Sequence, residues 1–294
     1  MKQDNKQAKF DIILTMNKFL KEQVIPLLLT FVTFIVVCVI FYFFIHILNL
    51  LPSKEKIHPQ IRIQDVLVGL TIYLKTSIDF AIFIGNLMRT NPGWKKRIAI
   101  EIGTAVGNAL GTIVILIIWN FFREVPLLMA IMIVIASAVL LRMAEESFEE
   151  LNSKLKPNHS LNTPLLFINT QLGFINNKFK PILGKLIPDL SLTNVKVMSV
   201  ISLAMFAISI PFILGLDDFA GYIPLFSIIN VFGFAVGVFL GHMILNIGLF
   251  LSPKTTTKVV EAPFVLLIGG VAFVGIAAWG FYEAMHLVVT VLLH

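Results

Sequence analysis

The sequence predicts an all-α, polytopic membrane protein with seven transmembrane helices. The chain is 57% hydrophobic and only 14% charged, whereas soluble domains are typically about 45–50% apolar and about 25% charged. Apolar runs of about 20 residues or more, the length that crosses the roughly 30 Å hydrocarbon core as a helix, recur along the chain. Two of these runs carry the same glycine pattern, which indicates an internal repeat.

The predicted spans follow in order from the N-terminus: 24–51, 65–88, 98–121, 126–145, 195–226, 227–251 and 259–294. The first run is too long for the apolar core of about 7–15 residues in a signal peptide, so we expect it to be retained. The chain therefore divides into four parts: an N-terminal arm and extra helix (1–64), a first three-helix repeat (65–150), a cytoplasmic connecting segment with short interfacial helices (151–194) and a second three-helix repeat (195–294).

The repeat is clearest in two segments with a glycine at every fourth position, which we call the glycine stripes. Six of nine positions are identical between GTAVGNALG and GFAVGVFLG. Such spacing lets another helix backbone approach closely, so we predict a helix-packing role for the glycines. They are Gly103, Gly107, Gly111, Gly233, Gly237 and Gly241. Because each repeat has three spans, the second enters the membrane from the opposite side, which is the inverted repeat of many secondary transporters.

Basic residues indicate the orientation. With seven spans, most lysines and arginines fall on one side of the membrane, in the arm, in the loop 89–97, in the segment 142–196 and at 254–258. An excess of positive charge in short loops marks the cytoplasmic side. The sequence therefore predicts a plasma-membrane protein with its N-terminus in the cytoplasm and its C-terminus outside.

Each repeat carries an acid in its first span, Asp79 in one and Asp218 in the other. A carboxylate at the centre of a transmembrane helix costs roughly 2.5–3.5 kcal/mol on insertion scales, so such acids usually face a cavity, a partner or an ion. One alternative is that Lys75, one turn before Asp79, simply neutralises it. The second repeat has Leu214 at the matching position, and Asp217 beside its acid points to a different helix face.

Three further polar residues lie next to the glycine stripes and are predicted to contribute to ion binding: Asn108, Thr112 and His242. Hard divalent cations prefer oxygen ligands, and histidine suits softer first-row metals. For His242, a hydrogen bond between helices is an equally good interpretation. Glu101 lies one turn from Arg97, and a surface ion pair is the expected interpretation of that pair.

The acids in Ser-Ile-Asp-Phe and Leu-Asp-Asp-Phe contexts, followed by small residues in the next span, resemble the LysE/TerC/MntP-type superfamily of cation and amino-acid exporters over 65–150 and 195–294. The resemblance implies that Asp79 and Asp218 meet at the centre and hold a metal ion. The chain departs from the pattern in its extra N-terminal span, in Lys75 and in lacking an asparagine directly after either acid. Lys75 could act as a tethered cation.

The predicted function is export of a small cation, with a divalent metal such as manganese as substrate and protons as the exchanged ion. Two alternatives remain open: export of an amino acid or other small organic solute, and a membrane scaffold or accessory subunit that transports nothing. No nucleotide-binding loop or paired nucleophile and base occurs, so neither an enzyme nor a cofactor is predicted. The dispersed basic residues argue against a nucleic-acid partner. The sequence predicts contact with the lipid bilayer, and it leaves a homo-oligomer open.

The orientation can be tested with single cysteines in a Cys38→Ala background. A cysteine at Lys95 and one at Asn158 should both be labelled from the cytoplasmic side, and one at Ser53 from the outside, because the charge pattern places these loops there. Labelling by a membrane-impermeant thiol reagent in oriented vesicles measures this. Labelling of the Lys95 and Asn158 positions from opposite sides would contradict the inverted repeat.

Overall fold

A computed structural model describes residues 24–53, 56–155, 162–186, 197–214, 222–223, 225–227, 229–260 and 262–293. All regular secondary structure in these ranges is helical. The α-helices are α1 (Ile25–Leu48), α2 (Ile63–Thr76), α3 (Ile78–Thr90), α4 (Trp94–Phe122), α5 (Pro126–Lys154), α6 (Asn162–Leu186), α7 (Val200–Leu214), α8 (Val231–Leu251), α9 (Pro253–Val260) and α10 (Pro263–Leu293). A short 3₁₀-helix spans Leu225–Ser227.

Five of these helices, α1, α4, α5, α8 and α10, are long and apolar enough to cross a membrane. Together α2 and α3 make a sixth span if the bent pair is taken as one. The prediction of an all-α, multi-pass membrane protein is therefore confirmed. The predicted span 195–226 contains α7, of which 15 apolar residues are described. The residues from 215 to 221 that follow it lie outside the described part of the chain.

The structure differs from the sequence prediction in two places. The predicted span 65–88 is not one helix but two, α2 and α3, whose axes differ by 62°. The fourth span continues as a helix to Lys154, well beyond the predicted end at 145, and the single helix α6, with 25 residues, occupies much of the connecting segment. The polar end of α5 stays helical because Arg142 pairs with Glu146 at 2.9 Å and Lys154 with Glu150 at 2.6 Å, each one turn apart.

The principal helix contacts join the two predicted repeats. Helix α4 packs along α7, α8 packs along α2, and α5 packs along α10. Each pair takes one helix from 65–150 and one from 195–294, so neither half forms its core alone. Helix α1 lies outside these pairs, against α4 and α8, and buries one face, on which Phe41 contacts the ring of Phe239 edge to face at 5.6 Å.

The glycine stripes lie at two of these helix pairs. A Cβ atom at Gly107 would collide with the carbonyl oxygen of Ile208 on α7, and one at Gly237 with the carbonyl oxygen of Val66 on α2. The remaining contacts have the same character: Gly103 meets Ala204 and Ala207, Gly233 meets Asp65, Gly241 meets Tyr73, and Gly111 is buried in α4. The absence of side chains thus lets α4 and α8 touch the backbones of α7 and α2.

Alanine at Gly107 or Gly237 should destabilise the protein by about 1–3 kcal/mol, because the added methyl must displace backbone in a packed interface. Gly275 on α10 is the matched control, since a Cβ there has no neighbour within 4 Å. Gly275→Ala should be neutral or stabilising by up to about 1 kcal/mol, as alanine is the better helix former. Thermal unfolding in detergent measures all three; equal melting temperatures would contradict the packing account.

Candidate functional site

The span formed by α2 and α3 is broken at Ser77, which ends one helix and begins the next. Its amide donates to the carbonyl of Tyr73 and its carbonyl accepts from the amide of Ala81, both at 2.9 Å. Between these bonds the chain turns by 62°. Broken helices at membrane depth are tolerated only where protein or a water-filled cavity surrounds them. Ser77 is 1% exposed, so protein surrounds this break.

Lys75 lies two residues before the break and is 5% exposed. Its side chain runs across α10 at Gly269, where a Cβ atom would overlap the lysine Cγ, Cδ and Cε atoms. The glycine therefore provides the space that the lysine occupies between α2 and α10. An ammonium group within a membrane span is costly and usually faces the interior of the helix bundle. Lys75 follows this rule, and its burial makes the break a polar centre.

The predicted acids are described only in part. The backbone of Asp79 belongs to the first turn of α3, immediately after the break, but its side chain lies outside the described part of the chain, as do Asp217 and Asp218 entirely. The predicted meeting of Asp79 with Asp218 therefore stays a prediction. Among the described side chains, no group of three or more His, Cys, Asp and Glu residues is placed to hold a metal ion.

A hydrogen-bond network centred on His242 connects α8 to the α2 side of the break. Its Nδ1 lies 2.6 Å from the hydroxyl of Tyr73, one turn before Ser77, and its Nε2 lies 2.8 Å from the side-chain amide of Asn246. When the Asn246 amide nitrogen donates to Nε2, the neutral ring carries its proton on Nδ1 and donates it to Tyr73. Thr104 on α4 adds a longer contact of 3.4 Å to Nε2. Both ring nitrogens thus have hydrogen-bond partners, which agrees with the packing interpretation, and ion binding by His242 stays a prediction.

The other two predicted ligands, Thr112 and Asn108, lie on α4. Thr112 donates its hydroxyl hydrogen to the carbonyl of Asn108 at 2.9 Å, within α4. Asn108 is 3% exposed, and its amide nitrogen has no hydrogen-bond partner among the described residues. Ion binding by either residue stays a prediction.

Asn108 lines a small cavity between α1, α4 and α8, with a volume of about 20 Å³. Five other polar side chains line it: Thr30, Thr33, Glu101, His242 and Asn246. A cavity of this size holds about one water molecule, provided that two to four polar groups face it. We call it the Glu101 cavity.

Glu101 is 1% exposed, so the predicted surface ion pair with Arg97 is wrong. The Arg97 guanidinium instead lies over the ring of Phe250, 5.2 Å from its centroid. Helices α1 and α8 cover the face of α4 that carries Glu101, and sequence spacing alone does not reveal that cover. A signal was nevertheless present, because Glu101, Thr104 and Asn108 form a polar stripe on one face of an apolar helix.

Removal of the hydrogen bond between Tyr73 and His242 should lower the stability of the protein. Tyr73→Phe leaves one His242 nitrogen without a partner in a buried site, which should destabilise the protein by about 1–3 kcal/mol. Tyr282→Phe is the matched control, because Tyr282 is 55% exposed. Thermal unfolding of both variants in detergent checks this. If Tyr73→Phe and Tyr282→Phe have the same melting temperature, the network does not contribute to stability.

Comparison with known proteins gives no assignment. No protein-family model, curated protein or solved structure matches the chain. The resemblance to the LysE/TerC/MntP-type superfamily stays a prediction, and any function must be argued from the residues of the chain itself.

Proposed function

We propose that the protein is a secondary transporter that exports a small cation, with Mn²⁺ as the first substrate to test, through a site at the α2–α3 break. One observation carries the proposal: a membrane span bends by 62° beside a buried lysine. Interrupted spans place substrate sites near the middle of the bilayer in many transporters, because the helix ends there offer unpaired backbone groups to an ion. A purely structural helix has no need of such a break.

The helix packing supports an inverted repeat. Exchanging the two halves maps the α4–α7 contact onto the α8–α2 contact and maps the α5–α10 contact onto itself. Two bundles related in this way can move against each other and open the site to either side in turn.

Charge balance gives Lys75 a part in the proposed mechanism. In the absence of substrate, the Lys75 ammonium neutralises the acid at the break, as a tethered cation. When Mn²⁺ enters, the carboxylates of Asp79 and Asp218 replace part of its hydration shell, and the ammonium moves away because like charges repel. Such exchange keeps Asp79 from being left buried without a counter-charge, which would be costly.

Buried Lys75 also favours a second candidate, the export of an amino acid or similar organic solute. There the ammonium would bind the substrate carboxylate and an acid would bind its amine. A scaffold without transport is the remaining alternative, with Lys75 and Asp79 as a structural pair. A flux panel of metals and amino acids in liposomes separates these three functions.

If Asp79 and Asp218 hold the cation, Asp79→Asn and Asp218→Asn should each abolish Mn²⁺ flux in liposomes and leave the protein folded. Asparagine keeps the shape but removes the charge that offsets the ion's lost hydration. Asp217→Asn is the control and should be mild, because its side chain leaves the helix in another direction. Mn²⁺ flux at the wild-type rate in both single variants would end the metal-export proposal.

The structural-pair alternative has its own test in a double variant. If Lys75 and Asp79 only neutralise each other, Asp79→Asn leaves a buried ammonium without its counter-charge and destabilises the protein, whereas adding Lys75→Met restores stability and leaves activity intact. Transport requires the opposite result, a stable but inactive double variant. Melting temperature and Mn²⁺ flux are measured on the same preparations.

A further inference from the structure

The Glu101 cavity contains a set of polar atoms that lack partners. Both carboxylate oxygens of Glu101, the amide nitrogen of Asn108 and the amide oxygen of Asn246 are buried without a hydrogen bond in the described part of the chain. The Thr30 hydroxyl lies beside the carboxylate but donates its hydrogen to the carbonyl of Pro26 at 3.0 Å. Buried polar groups are rarely left in this state, so each such group requires an explanation.

One water molecule would complete much of this set. It would donate one hydrogen to Glu101 and one to the Asn246 oxygen, and it would accept from the Asn108 nitrogen, which gives it three partners. The volume of about 20 Å³ has room for one such molecule. The second carboxylate oxygen would still lack a donor, and an ionised carboxylate in that condition is costly within a membrane span.

We propose that Glu101 binds a proton in this cavity, with one water molecule beside it, at a site distinct from the α2–α3 break. The step is balanced: a hydronium ion transfers a proton to one carboxylate oxygen, an O–H bond forms, and a water molecule and a neutral carboxyl group remain. The proton removes the uncompensated charge and turns that oxygen into an O–H donor, for which the Thr30 hydroxyl oxygen beside it is an acceptor. Its binding does not require the proposed transport function.

A metal ion fits this cavity poorly. Calcium takes six to eight oxygen ligands, and magnesium takes six in a near-ideal octahedron. Among the described residues, Glu101 is the only carboxylate that lines the cavity, and the space is that of a single water molecule.

Among the described residues, few titratable groups lie near Glu101. From α8, His242 lines the cavity, and from α2, Tyr73 reaches it through His242. Helix α1 contributes Thr30 and Thr33 as its polar lining residues, and α7 has no titratable residue. On α4 itself, Arg97 lies one turn away but over Phe250.

The same network connects the cavity to the break. Asn246 and His242 line the cavity, His242 contacts Tyr73, and the Tyr73 carbonyl accepts from the amide of Ser77. Protonation of Glu101 would change the hydrogen bond from the water to Asn246. It would thereby alter the hydrogen-bond network that runs from Asn246 through His242 and Tyr73 to Ser77. If the proposed transport function holds, the Glu101 cavity is then the site of the exchanged proton, and this coupling role rests on that function.

Infrared difference spectra of the purified full-length protein between alkaline and acidic pH test the binding directly. Wild-type protein should show the C=O stretch of a buried protonated carboxyl group, and Glu101→Gln should lose it. Glu146→Gln is the matched control, because that side chain is 54% exposed and paired with Arg142, and it should keep the band. Glu101→Asp, which retains a carboxyl group, should shift the band, so the assignment does not depend on one variant.

An unchanged band in Glu101→Gln would overturn the proposal, as would wild-type protein that shows no such band at acidic pH. The coupling role has a separate readout in liposomes. A pH gradient should accelerate Mn²⁺ flux in wild-type protein and in Glu146→Gln but not in Glu101→Gln. Equal acceleration in all three would remove the coupling role, while the infrared result is decided without any transport.

Discussion

The interior of a bilayer provides no water, so every polar group at that depth must be satisfied by the protein or by something the protein binds. This constraint explains where the unusual features of the chain lie. Ser77 at the helix break, Lys75 beside it and Glu101 in its cavity are all at most 5% exposed, although α1 and α10 present many apolar side chains to lipid. The polar residues lie between helices, where ionisable groups at membrane depth usually face a partner or a cavity rather than lipid.

The glycine stripes make this arrangement compatible with close packing. They bring the backbones of α4 and α8 against α7 and α2, so the two predicted repeats share one core. The same principle operates on a smaller scale at Gly269, whose missing side chain gives space to Lys75. Small residues thus serve both as helix contacts and as the room for a buried charge. Helix α1 then closes the outer side of the Glu101 cavity with Thr30 and Phe34.

Composition and run length were sufficient to predict an all-α membrane protein, and glycine spacing pointed to the residues that lie at the α4–α7 and α8–α2 contacts. The break at Ser77 was not predicted, because the segment around it contains neither proline nor glycine, the usual signals of a kink. Glu101 was misinterpreted for a different reason. Its partner was sought on its own helix, at Arg97, whereas its environment is set by α1 and α8, distant in sequence. Asp79 and Asp218 remain predictions from the sequence.

The central claim is that the α2–α3 break lies on a path for ions, and reactivity at Ser77 tests it most directly. In a Cys38→Ala background, Ser77→Cys should react with a membrane-impermeant thiol reagent in intact vesicles, and Mn²⁺ should slow the reaction. A cysteine at Gly275, where the α10 surface has no protein neighbour within 4 Å, should stay unmodified because it faces lipid. Ser77→Cys that is as inert as this control, with or without Mn²⁺, would contradict the account.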